Sequence, residues 1–449
     1  MEANILNTTL LLVRDLLQRD DVAGALRIIE SLHPPDQADI FEELQPEQQM
    51  ELLPQLEAES VADILEELED EDAAELASGI DASMLAHIID EMGPDEAADL
   101  LGDLDPSLSI ATLSQMQEAD EVRPLLLHPD QTAGGLMTSE YLAFPQNMRV
   151  DRVLPALREW DPRGGDLYYL YVVDAENHLV GIASLLQIIR AQPSDRLFSI
   201  MNKETIKAHV TDDQEAAARL MARYDLTVVP VVDDEEHLVG VITVDDLVDV
   251  LEDEATEDIQ RYGGSAPLDR AYLDTSVARA AWKRLGWLLL LFVTGTLTGT
   301  VMRLFEGQMN QVIALAVFVP LLIGTGGNAG AQTTATIIRA LSVGDIELRD
   351  TGRIIWHEVR TALILAAMLA LVAFVRAFFW EDSAPLALVV SISILTIVIW
   401  ADFVGAILPL LAAKLHIDPA VVSGPLMSTL VDATGLLIYF SIASLVLGI

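Results

Sequence analysis

Apolar positions along the chain follow three rhythms, and each predicts a different architecture. Between Leu32 and Leu104 an apolar residue opens the same phrase every 12 positions, as in LHPPDQADIFEEL, LQPEQQMELLPQL, LEAESVADILEEL and MGPDEAADLLGDL. Each phrase reads as a turn, an N-cap and about two helical turns. A helix that short cannot bury its apolar stripe alone, so the units are expected to stack into a right-handed or armadillo-like superhelix. From about 136 to 252 a helix-strand-strand-helix text occurs twice: LYYLYVVDAENHLVGIASLLQII at 167–189 matches LTVVPVVDDEEHLVGVITVDDLVDVL at 226–251. After Trp282 come apolar stretches of roughly 20 residues, enough at about 1.5 Å each to cross about 30 Å of hydrocarbon. Five are expected, at about 285–305, 312–341, 361–379, 385–413 and 420–447.

Flanking charge orients these spans. Arg279, Lys283 and Arg284 precede the first, Arg339, Arg349, Arg353 and Arg360 surround the second loop, and Lys414 follows the fourth, whereas Glu306, Glu381 and Asp382 fall in the alternate loops. The positive-inside rule then puts the N-terminus in the cytoplasm and the C-terminus outside, in a multi-pass protein of the inner, or cell, membrane. The N-terminal text has no basic start or cleavage site of a signal peptide.

Two polar interruptions break the apolar spans, and unpaired polar groups in lipid cost several kcal/mol. The first is GTGGNAGAQ at 324–332, whose glycines permit close backbone approach or local unwinding; the alternative is small-residue helix packing of the GxxxG kind. The second is a pair of carboxylates, Asp402 and Asp432. Measured from their basic-flanked ends, Asn328, Asp402 and Asp432 lie at similar depths, roughly 12–18 Å at about 1.5 Å per residue. An amide and two carboxylates at one level make an oxygen-only site suited to a hard cation such as Mg²⁺, Ca²⁺ or Mn²⁺.

Composition sharpens this picture. The chain carries 70 acidic against 26 basic residues, a formal charge of −44. Residues 1–130 hold 33 Asp and Glu against 4 Arg, while 271–449 hold 11 acidic and 10 basic. Such a surface repels nucleic acid and attracts multivalent cations; the plainer alternative is acidity for solubility alone. The absence of cysteine removes disulfides and thiolate metal sites, and sparse histidine argues against a Zn or Cu enzyme. In VDDLVDVLEDEATEDI at 244–259, helical spacing puts Asp246, Asp249, Asp253 and Glu257 on one stripe, either a solvated face or a regulatory link between the repeats and the first span.

The duplicated text resembles a tandem of cystathionine-β-synthase (CBS) domains, modules that pair to bind adenine nucleotides. Copy two keeps the T-x-x-D that such modules place on a ribose, as Thr243 and Asp246, where copy one has Ser184 and Gln187. The resemblance places nucleotide, such as ATP, near Thr243, Asp246, Asp225 and Pro230.

With GTGGNAGAQ, DPAVVSGP at 418–425, STLVDATGLLIYF at 428–440 and VDDLVDVLEDEATEDI in this order, the whole chain resembles the MgtE family of magnesium channels. The implied architecture is multidomain: an all-α acidic superhelix over 1–130, α/β tandem CBS domains over 131–252, a connecting plug helix over 253–280 and an α-helical five-span transmembrane pore domain over 281–449. The resemblance implies no enzyme but a homodimer in lipid with a pore on its two-fold axis, closed when cytosolic Mg²⁺ bridges the sensor domains. It assigns metal contacts to Asp432, Asp418, Asp246, Asp249, Glu254, Glu257, Asp258, Asp95, Asp99 and Asp63, and a pore lining to Asn328, Asp402, Gly424 and Ser428. Asp402 and Gly424 depart from the family pattern, where Asn is expected. Two rival classes are a secondary exchanger coupling the cation to H⁺ or Na⁺ and an intramembrane aspartyl protease using Asp402 and Asp432. Val431-Asp432-Ala433 lacks the glycine-flanked aspartate of the latter.

Overall fold

The computed structural model describes residues 2–160, 169–268, 272–273 and 275–448. Residues 167–168 of the first repeat copy, and 269–271 and 274 of the expected connecting segment, lie outside the described residues. The chain divides into two compact units, Met1–Leu251 and Glu252–Ile449.

The first unit opens with ten helices: α1 (Glu2–Gln18), α2 (Val22–Ile29), α3 (Pro34–Glu42), α4 (Pro46–Leu52), α5 (Ala58–Glu66), α6 (Asp70–Ala77), α7 (Ala82–Ile89), α8 (Pro94–Asp103), α9 (Pro106–Leu113) and α10 (Ala119–Val122). Proline at the first turn of α3, α4, α8 and α9 presets the helical φ where no hydrogen bond is lost. In α7, Asp81 instead caps the start by accepting from the amides of Ser83 and Met84. The apolar residues that open the phrases sit just before a helix and turn inward: Leu44, Leu56, Ile80, Met92 and Leu104 are buried, and Leu32 and Leu68 are partly buried against the same core. Helices two apart pack together, α3 on α5, α5 on α7, α7 on α9 and α6 on α8, which is the stacking the 12-residue period calls for.

The two repeat copies follow as matching sheets. β1 (Ala143–Pro145) runs parallel to β2 (Tyr169–Val173), which pairs antiparallel with β3 (Leu179–Ser184). The first copy also contains α11 (Val150–Glu159), α12 (Leu185–Arg190) and α13 (Leu197–Ile200). In the second, β4 (Ala208–His209) runs parallel to β5 (Val228–Val232), which pairs antiparallel with β6 (Leu238–Thr243), and α14 (Gln214–Tyr224) lies between β4 and β5. Even the irregularity is duplicated: the hairpin register slips at Val172/Val173 and again at Val231/Val232. The two hairpin turns meet, with His178 and His237 stacked at 4.8 Å between ring centroids.

From β6 the chain enters α15 (Val244–Tyr262), which carries the acidic stripe across the boundary between the units without a break. This helix starts before the expected connecting segment and ends well short of residue 280, at Gly263 and Gly264; Gly264 takes a φ of 77° that favours glycine.

The second unit holds α16 (Val277–Leu304), the short α17 (Glu306–Gln311), α18 (Ala314–Ser342), α19 (Thr351–Glu381), α20 (Ala384–Lys414) and α21 (Gly424–Leu447). Five of these are long and apolar enough to cross a membrane. The third span is longer than expected because Thr351–Arg360, though polar, continues the helix of α19. The core lies where α18, α20 and α21 meet, around Phe318, Leu322, Ile397, Val431 and Tyr439. Tyr439, fully buried, donates its hydroxyl to the Leu315 carbonyl at 2.9 Å, so its polar end is satisfied.

Candidate functional site

In the second unit the site is built around the glycine-rich helix, and here the structure selects between the two readings of GTGGNAGAQ. Residues 324–332 are α-helical throughout, so the glycines do not unwind the span. They serve close packing on two sides. A Cβ on Gly326 would stand 2.5 Å from Ile397 and 2.9 Å from Val431, and one on Gly330 would stand 2.6 Å from Met427. On α20, Gly405 lies against the Gly330 carbonyl, where a Cβ would approach to 2.6 Å. Small residues bring three helices into backbone contact.

This packing sets which of the candidate residues adjoin. Gly327 lies beside Ser428, since a Cβ there would be 3.2 Å from the Ser428 hydroxyl, while Gly330 lies beside Met427 and Ala401. Asn328 therefore belongs at the level of Ser428, Asp432 about one turn further along α21, and Asp402 toward the Asp418 end. Between α20 and α21 the Trp400 indole donates to the Thr434 hydroxyl at 2.9 Å and a Cβ on Gly435 would stand 3.6 Å from Ile397, so Asp402 and Asp432 lie at neighbouring levels. Asp402 is also not exposed to a path: it is 1% accessible, accepts a hydrogen bond from the Thr333 hydroxyl at 3.2 Å, and its other oxygen has no partner among the described residues. Asp432 and Ser428 are half-buried and Asn328 is exposed. Asp402 thus ties α20 to α18.

At the other end of these helices the last turns of α15 dock. Arg261 pairs with both Glu257 and Asp418. The Ser342 hydroxyl donates to Asp258 at 2.9 Å. Asp418 also accepts from the Ala420 amide at 2.8 Å. The Tyr262 hydroxyl donates to the Ala331 carbonyl at 2.7 Å, and Gly424 lies against it, a Cβ there standing 3.2 Å from the hydroxyl oxygen. Ser423 caps α21 and takes a 3.1 Å hydrogen bond from the Trp287 indole, which ties α16 to the same place. Burial pushes the Glu257 and Asp258 carboxyls up.

In the first unit a second set of carboxylates gathers. Asp95 is pushed up to about 7 by burial and by the charge of Asp246, although the Thr138 hydroxyl opposes the shift. Asp99 is pushed up to about 8 by burial and by Asp130, Asp70 and Asp95. Burial first and Glu59 second raise Asp63; burial and then Asp249 raise Glu67. The facing pairs Asp95/Asp246 and Glu67/Asp249 bring carboxylates from the helical region against the start of α15. Carboxylates held this way release their strain on taking a proton or a cation.

The CBS-like site is only partly matched. Asp246 accepts from the Thr243 hydroxyl at 2.6 Å and its amide at 3.2 Å, so T-x-x-D caps its own helix. In copy one Ser184 and Gln187 form the equivalent capping box without charge. Asp225 is left-handed, with φ 51°, at the end of α14, and Pro230 is buried in β5.

The sequence reading passed over Arg261, Tyr262, Thr333 and Ser342. One signal was legible: Arg261 is the only basic residue between Arg223 and Arg270 and directly follows the acidic run.

Buried intramembrane carboxyls, packed glycine helices and a cytosolic-type array of facing acids define a multi-pass membrane protein of the cation-transporter class. Residues 319–442 match the family model of the MgtE divalent cation transporters, 32–131 that of the MgtE intracellular N domain, and 133–194 and 197–253 that of the CBS domain. The chain is 45% identical over 327 residues to the magnesium transporter MgtE of Thermus thermophilus, covering 73% of this chain and 72% of that one. It is 39% identical to the magnesium transporter MgtE of Enterococcus faecalis over 73% of this chain and 72% of that one. Among solved structures, the cytosolic domain of the Mg²⁺ channel MgtE in complex with ATP superimposes with a TM-score of 0.51 at 36% identity, over 54% of this chain and 99% of that one. The chain belongs to the MgtE family of magnesium transporters, which is not a family of enzymes.

Proposed function

We propose that this protein is a Mg²⁺-selective channel whose pore lies between two copies of the chain and closes when cytosolic Mg²⁺ binds its acidic domains. The observation that carries the reading is the position of Tyr262. It ends the acidic helix α15 against Ala331, one turn from Asn328, and against Gly424, one turn from Ser428. A helix that begins among the facing acids of the first unit thus ends at the entrance to the candidate pore. In this reading Asp432 holds the permeating ion, through its hydration shell because Mg²⁺ dehydrates reluctantly. Asn328, Gly424 and Ser428 line the path, and Asp402 steadies it from outside.

The sensor consists of Asp95 and Asp99 with Asp246, Asp63 and Glu67 with Asp249, and Glu254, Glu257 and Asp258 with Asp418. Without a cation these groups repel; a divalent ion between them turns repulsion into a bridge, and several such ions give a steep response. The N-terminus is cytoplasmic and the C-terminus outside, in the inner or cell membrane, as the flanking arginines and lysines require. A domain division at about 130, 252 and 280 accompanies this reading. ATP, held by the relative's cytosolic domain, is proposed to bind at Thr243, Asp246, Asp225 and Pro230 of copy two and to adjust the Mg²⁺ response. A channel is favoured over an aspartyl protease because Asp402 is buried and accepts from the Thr333 hydroxyl, while Asp432 is only half-buried.

Single-channel recording of the full-length protein in planar bilayers tests this. Unitary currents beyond any transporter turnover, lost on adding Mg²⁺ to the cytosolic side, are expected; Mg²⁺ flux without unitary currents would identify an exchanger instead.

A further inference from the structure

At the docking point of α15 the chain supplies a cation of its own. Arg261 reaches Glu257 on its own helix, one turn back, and Asp418 in the segment between α20 and α21. Asp258 lies close enough for both Asp418 and Arg261 to act on its charge. Three carboxylates therefore converge where α15 meets the ends of α18, α20 and α21, and a guanidinium, planar and with five donors, is the side chain that can hold two of them at once. The guanidinium is charged at any physiological pH, so it stands as a fixed cation between Glu257 and Asp418. Removing the guanidinium would leave the carboxylates facing one another and weaken the seat of Tyr262 one residue on.

We propose that Arg261 is the resident cation of this docking point, occupying the Glu257–Asp418 pair that a divalent cation would otherwise bridge. The inference rests on the gating reading above. It adds that the chain performs by itself, at one of the bridging positions, what Mg²⁺ performs at the others. Arg261 thereby keeps α15 seated in Mg²⁺-free solution and lowers the number of ions that closure requires. It also acts as a local competitor, because Mg²⁺ enters this carboxylate set only when the guanidinium leaves.

The absence of native cysteine gives a direct assay. Asp258→Cys with Ser342→Cys places two thiols at a contact whose side-chain atoms stand 2.9 Å apart, and disulfide yield under mild oxidation reports the seated helix. In full-length protein in lipid nanodiscs with EDTA, adding Arg261→Gln is expected to lower the yield by roughly three- to tenfold, the loss of a partly exposed charge-assisted contact. Millimolar Mg²⁺ should restore it, which also shows that the variant is folded. Arg261→Lys keeps the charge but not the fork and should give an intermediate yield; it carries the comparison if the Gln variant does not fold. Equal yields with and without the guanidinium in EDTA, or a full yield for Lys, would overturn the proposal. Failure of Mg²⁺ to close the unmodified channel would instead remove the gating reading and leave the crosslinking result standing.

Discussion

Mg²⁺ binding to the first unit should release protons, and the amount follows from two carboxyls. Asp95 at about 7 and Asp99 at about 8 are, at pH 7, roughly half and roughly nine-tenths protonated. A divalent ion needs both as carboxylates, so binding at pH 7 should expel roughly one proton or more per chain, Glu96, pushed up to about 9 beside them, adding to the release where it also ionises. Apparent Mg²⁺ affinity of this site should then rise on the order of tenfold between pH 6.5 and 7.5. Calorimetric titration of the full-length protein in buffers of different ionisation enthalpy measures the release. A double Asp95→Asn, Asp99→Asn variant provides the background from other acids. Buffer-independent heat, or an affinity that changes less than about threefold across that interval, would refute the argument. The same shifts fix the pH dependence of stability without metal. Each folded carboxyl is raised above its unfolded value near 3.8, so its full contribution is present below that value and is lost as pH rises through about 7 to 8. The metal-free first unit should melt at lower temperature at pH 8.5 than at pH 5.5, and Mg²⁺ should flatten the difference.

Three further outcomes are expected. Asp432→Ala should abolish Mg²⁺ uptake while the protein remains folded, since no hydrogen bond or ion pair holds Asp432 among the described residues; isotope flux into proteoliposomes checks it. Asp402→Asn should conduct, because Asn can still accept from Thr333, and a shift in Mg²⁺ to Ca²⁺ preference measured by reversal potential would report its effect on the α18–α20 seam. Replacing Asp249, Glu254, Glu257 and Asp258 together with Ala should leave the channel open at Mg²⁺ concentrations that close the parent, and a quadruple variant that closes normally would reduce the stripe to a solvated face.

The sequence made the fold legible where a period was long and local. A 12-residue repeat leaves little choice but stacked short helices, and runs of roughly 20 apolar residues leave little choice but membrane spans. The site was legible only in part. Asp432 and the acids of α15 stand out because charge is conspicuous in apolar or repetitive text. Register between helices does not stand out: basic flanks place Asn328, Asp402 and Asp432 only by depth, whereas their neighbours follow from which glycine meets which side chain. Gly330 against Gly405 and Gly326 against Val431 set those neighbours, and such contacts depend on three-dimensional packing that no spacing along one helix encodes. Arg261 was missed for a related reason, since a lone cation after an acidic run acquires meaning only when Asp418, 157 residues away, is placed beside it.

The packing around α18 also bears on the proposed dimer. Gly326 and Gly330 serve the seams with both α20 and α21, Thr333 serves that with α20 and Gly327 that with α21. Both contact faces of the helix are occupied. Asn328 is left on the remaining face, exposed in the protomer, next to half-buried Ser428 and Asp432. A carboxylate, an amide and a hydroxyl facing hydrocarbon would cost several kcal/mol, since lipid supplies no hydrogen bond to any of them. Water against these groups removes that cost, and water at this depth requires a wall on its far side. Tyr439 and Phe440 of α21 are buried in the core with α18 and do not face these groups. In the proposed homodimer, a second copy presenting the same polar face across a two-fold axis would supply the wall and double the oxygen ligands around a hydrated ion. The proposed dimer is the arrangement that would let the polar residues of α18 and α21 remain where packing has put them.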